Sequence, residues 1–90
     1  MKYIVSWTLP PGTFNDASAR FLKAGGLPPT GVKLIGRWHG MSGAGFAAVE
    51  TTDAKALYKW VTEWGDLLPI QTTPCLEDAD AGAVLKELKG

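Results

Sequence analysis

Arg37, Trp38 and His39 form the tightest group of residues in this chain whose types could do chemistry. His39 is the single histidine, and an imidazole, with an unperturbed pKa of ~6.5, is the natural proton carrier near neutrality. Arg37 stands two residues earlier. Its planar guanidinium can grip a carboxylate or phosphate through parallel hydrogen bonds. Side chains two apart on a strand share a face, so the pair could orient an anionic substrate beside an acid/base, with His39 as the candidate catalytic residue. The competing reading makes both of them solvated sheet residues near a hairpin. A lone histidine cannot build a metal site, and no Asp, Glu or Cys cluster stands at ligand spacing. No metal or cofactor is therefore expected. Ser6, Ser18 and Ser42 sit in no nucleophile motif. Gly43-Ala44-Gly45 looks like part of a phosphate loop but lacks the Gly-Lys-Ser/Thr that would complete one.

The elements that must position these residues read strand, helix, strand, strand, helix, strand and a short helical tail. Residues 2 to 8 are β-rich and stop at Leu9-Pro10-Pro11-Gly12. Thr13 is a good N-cap with Asp16 three residues on. Phe14, Ala17, Phe21 and Leu22 then recur at helical spacing until Gly25-Gly26 ends the helix. Gly31 to Gly40 alternates, Gly40 to Gly43 makes a hairpin loop, and Ala44 to Thr51 returns. Asp53 caps a second helix through Trp64, with Leu57, Val61, Trp64 and Leu68 on its inner stripe. Leu68 to Leu76 is the last strand, marked as an edge by Pro69 and Pro74. Asp78 can cap the tail helix that carries Val84, Leu85 and Leu88.

This order predicts one α+β domain over residues 1–90, a ferredoxin-like βαββαβ unit with a four-stranded antiparallel sheet and a short C-terminal helix. Right-handed crossovers put both main helices on one face, with the strands in spatial order four, one, three, two. Strand parity then assigns the faces. Val32, Leu34 and Trp38 turn toward the helices, whereas Lys33, Ile35, Arg37 and His39 point to the open side. A pairing of His39 with Ala44 adds Phe46, Ala48 and Glu50 to that side, and the first strand adds Ile4, Ser6 and Thr8. The predicted ligand-binding set is thus Arg37 and His39, flanked by Ser6 and Glu50, over the open face. Lys33 and Glu50 are expected to form a cross-strand ion pair. Phe21, Leu22, Leu57, Val61 and Val5 are the predicted core.

Composition narrows the function classes. Nine basic and nine acidic residues cancel, which removes the electrostatic basis for nonspecific nucleic-acid binding. No apolar run approaches the ~20 residues of a membrane span. The N-terminal residues do not read as a signal peptide, and the one cysteine, Cys75, fits a reducing compartment. A cytoplasmic protein with neither nucleic-acid nor membrane partners is expected. An open sheet face bearing Ile4, Ile35, Phe46 and Ala48 calls for a cover, and a homodimer supplies one.

The segments Lys2-Tyr3-Ile4-Val5-Ser6-Trp7-Thr8, Gly31-Val32-Lys33-Leu34-Ile35-Gly36-Arg37-Trp38-His39 and Gly45-Phe46-Ala47-Ala48-Val49-Glu50 resemble a family of short uncharacterised bacterial, cyanobacterial and cyanophage proteins, a domain of unknown function. The Ala56-Leu57-Tyr58 to Trp64 helix and the Ala79 to Ala83 tail fit the same pattern. The architecture is also similar to dimeric α/β-barrel proteins, which include cofactor-independent monooxygenases, isomerases and ligand-binding domains. That likeness alone decides no chemistry. Three readings follow. The first is a homodimer binding a small ligand, an anion among the candidates, in the cavity over the open face. The second is a cofactor-independent monooxygenase or isomerase using His39 as acid/base. The third is a structural or host-interaction module.

Overall fold

In the computed structural model, which describes residues 1–90, the chain forms β1 (Lys2–Thr8), α1 (Phe14–Ala24), β2 (Val32–His39), β3 (Ala44–Thr51), α2 (Ala54–Trp64), β4 (Ile70–Cys75) and α3 (Asp78–Lys89). Local chemistry sets these limits. The Asp53 side chain accepts hydrogen bonds from the amides of Lys55 and Ala56 and so caps α2. Gly25 ends α1 in the left-handed region at φ 76°, where its amide donates to the Phe21 carbonyl. A residue with a Cβ resists that conformation. Thr13 occupies the N-cap of α1 without capping it through its side chain, because its hydroxyl donates backward to the Pro10 carbonyl, 2.7 Å away. No helix is long and apolar enough to cross a membrane.

The four strands are antiparallel in the order β2-β3-β1-β4, the expected ferredoxin-like α+β arrangement. The inner face of the sheet carries Val5, Ala47 and Val49, which pack with Leu57 and Trp60 of α2. Val49 is wholly buried. Phe21 and Val61 are only half-buried, and Leu22 is 83% exposed. The inward row of α1 is Ala17 and Phe21, one turn apart. Leu22 is rotated about 100° further round the helix and points off the core.

The central departure from strand parity lies in β2. Leu34 is opposite Val49, but Gly36 is opposite Ala48, so Ile35 is an extra residue in the ladder. Such a β-bulge reverses the facing of everything beyond it. Lys33 pairs in register with Glu50 as expected, but Gly36 and Trp38 take the open side while Arg37 and His39 turn toward the helices. The hairpin agrees with this shift. The Gly40 amide donates to the Ala44 carbonyl at 2.6 Å, and His39 lies opposite Gly45 instead of Ala44.

Leu57→Ala should cost about 2–5 kcal/mol in a denaturant titration, as a methyl-lined void opens under the sheet. Leu22→Ala should stay within about 0.5 kcal/mol; a large loss there would place α1 in a different rotation.

Candidate functional site

The inward residues of β3 shrink toward the hairpin: Val49, Ala47, then Gly45. Trp7 on β1 is the register partner of Gly45. A Cβ on Gly45 would overlap the Trp7 indole, so the bare glycine is what lets this ring lie across the strand. Beyond that ring the helices do not close on the sheet. A cavity of about 530 Å³ opens there, within the range of small-molecule sites. Trp7 and Ile70 line it from the sheet, Phe21 from α1, and Trp60 and Trp64 from α2. Fourteen of its twenty lining residues are hydrophobic, which suits an organic ligand better than bulk water. Its polar side chains are Ser18, Arg37 and His39, and no acidic side chain lines it.

Arg37 enters the cavity wall from β2. Its Nη1 donates to the Gly26 carbonyl at 2.6 Å and its Nη2 to the Gly25 carbonyl at 3.0 Å. These are carbonyls at the C-terminal end of α1, where the helix dipole favours a cation. The guanidinium carbon sits 4.9 Å from the centre of the Phe21 ring. The ion pairs of the fold are Lys2–Glu77 and Arg20–Asp66, so Arg37 has partial charges beside it but no carboxylate. Burial pushes its pKa below the usual guanidinium value. The cation is held, partly desolvated and not neutralised.

His39 stands at the rim, exposed to solvent. Aromatic edges hold its ring, with Phe21 at 5.2 Å and Trp7 at 6.4 Å between centroids. Arg37, Phe21, His39 and Trp7 thus form one continuous contact row across the cavity mouth. Trp60 is buried in the wall, and its Nε1 is a buried donor without a partner. On the far side, Arg20 forks onto Asp66 at 2.8 and 2.9 Å and donates to the Glu63 carbonyl while lying over Trp64. This clamp fastens α1 to the end of α2.

The structure therefore brings together Arg37 and His39 but separates them from Ser6 and Glu50. Ser6 is opposite Phe46 and Glu50 is opposite Lys2 and Lys33, all on the open face. Lys33 and Glu50 are register partners without the expected ion pair, and Lys2, the other register partner of Glu50, pairs with Glu77. The open face carries exposed Ile4, Trp38 and Phe46 and no Arg37–His39 site. No group of three or more His, Cys, Asp or Glu side chains converges anywhere in the fold.

A family model described as a domain of unknown function (DUF3303) matches residues 1–89. The chain belongs to this family. Neither a curated protein nor a solved structure matches it. In this DUF3303 domain, the cavity walls Trp7, Phe21 and Trp64 escape a reading that seeks only polar groups. The signal that could have found them is the run Val49, Ala47, Gly45, small residues on an inward face opposite a bulky Trp7.

Replacing Arg37 by Gln should cost roughly 1–3 kcal/mol in stability, because two charge-assisted hydrogen bonds to α1 are lost; an unchanged denaturation midpoint would show that the fork holds nothing. The Arg20 clamp has a pH signature. Arg20 holds the Asp66 carboxyl below the usual carboxylate range, so its stabilising effect is full above the unfolded value and disappears as pH falls through the lowered one. Thermal melts across the acid range should show this loss in the wild-type protein and a flatter profile in Asp66→Asn.

Proposed function

We propose that this protein binds a small, largely apolar organic anion in the cavity between its sheet and helices. The observation that carries this reading is Arg37, a half-buried cation with no carboxylate partner, set in an apolar wall. Removing a charge from water is unfavourable unless something compensates it, and backbone carbonyls do so only in part. A ligand carboxylate or sulfonate reaching the free edge of the guanidinium completes the balance. The aromatic walls take the ligand's hydrophobic body, and His39 at the rim supplies a further hydrogen-bonding group. In this reading Arg37 acts as anion anchor and His39 as a polar neighbour, on the helix side of the sheet and not on the open face expected from sequence.

The experiment compares 2-naphthoate with its neutral relative 2-naphthalenemethanol, read by quenching of tryptophan emission and by the shift in melting temperature. The anion should bind about tenfold more tightly or better, as expected for one charge-assisted hydrogen-bonded contact. Arg37→Met should remove that preference. Ser18→Phe, which fills the cavity from α1, should abolish binding of both compounds while the protein stays folded. Equal affinity for the two compounds, or binding indifferent to both substitutions, would overturn the proposal.

A further inference from the structure

The helix α3 is unfinished as a piece of this chain. Eleven of its twelve residues are exposed, Ala81 is half-buried, and none is fully buried. Ala81, Val84, Leu85 and Leu88 fall at i, i+3, i+4 and i+7, which is an apolar stripe along one side. Val84, Leu85 and Leu88 are 48, 57 and 77% exposed. A helix of ~12 residues without tertiary packing is marginal in water, and Gly82 in its middle weakens it further. The helix leaves β4 after a two-residue link, and its root is tied by the Lys2–Glu77 pair. The chain as a whole measures 52 × 29 × 18 Å with a radius of gyration of 15.3 Å, against about 12 Å for a compact chain of this length. Its own arm does not fold back over it.

The open face of the sheet has the converse lack. Ile4, Phe46 and Trp38 are 38, 48 and 60% exposed. Trp38 folds back over Gly36, where a Cβ would come within 2.7 Å of the ring, so the glycine makes room for this exposed indole on the face. A 12-residue helix is about 18 Å long. Four strands at about 4.8 Å spacing span roughly 14 Å. The arm has the length the face requires, and one chain carries both surfaces without joining them.

We infer that α3 is an exchanged arm, which lays Val84, Leu85 and Leu88 on the Ile4–Trp38–Phe46 face of a second copy of this chain. The exchange is reciprocal about a two-fold axis, so both copies bury both surfaces. It is independent of the ligand cavity, which lies on the opposite side of the sheet.

Two single variants and their mixture test it in the full chain. Sedimentation equilibrium of the wild-type protein at micromolar concentrations should give a dimer. Phe46→Glu spoils the face and Leu85→Glu spoils the arm; both sites are exposed, and circular dichroism checks that each variant retains its fold. Each should raise the dissociation constant by roughly tenfold or more. An equimolar mixture should recover heterodimers, because the sound arm of Phe46→Glu meets the sound face of Leu85→Glu. The double variant should recover nothing. A wild-type monomer at all concentrations would overturn the inference. So would a Leu85→Glu protein that dimerises like the wild type, since the sheets would then meet without the arm.

Discussion

Side chains on a strand alternate with a period of two, and one inserted residue reverses every assignment that follows it. Ile35 is that residue here, unpaired between Leu34 and Gly36. Because of it, Arg37 and His39 share a compartment with Phe21 and Trp7 instead of facing outward beside Lys33. The same bulge sends Trp38 to the open face, where it rests on Gly36. A polar cavity mouth on one side of the sheet and an apolar surface on the other both follow from this single unpaired residue.

A second constraint works with it. The inward side chains of β3 dwindle from Val49 to Ala47 to Gly45, and Trp7 fills the last gap with a flat ring. The dense core around Val49, Leu57 and Trp60 therefore gives way to open volume toward the hairpin. Arg37 lies where the two regions meet. Its fork onto the carbonyls of Gly25 and Gly26 joins the end of α1 to the sheet, which spans the cavity and leaves a cation inside it.

The order of elements was legible because turn and cap signals are local: Pro10-Pro11-Gly12, Gly25 and Asp53 act within a few residues of themselves. The strand order followed from two βαβ units sharing a central hairpin, and crossover handedness put both helices on one face, rules that need only the order of elements. Facing on β1 and β3 was legible because those strands alternate without interruption. Facing on the second half of β2 was not. Gly31 to Gly40 alternates smoothly in sequence, and nothing in Ile35 marks it as the residue left unpaired. The burial of Leu57 and Val5 was read correctly, but that of Leu22 was not, since its spacing fits a stripe that the helix rotation excludes. Arg37 and His39 were singled out by residue type, which needs no geometry. Their separation from Ser6 and Glu50 depended on the bulge and so was out of reach.

The most direct test of the account locates a bound ligand relative to the two faces of the sheet. In isotope-filtered NMR of the labelled protein with 2-naphthoate, the ligand protons should show nuclear Overhauser contacts to Trp7, Phe21 and Val61 and none to Ile4, Trp38 or Phe46. Contacts to Ile4, Trp38 and Phe46 instead would place the site on the open face and contradict the role assigned to the bulge.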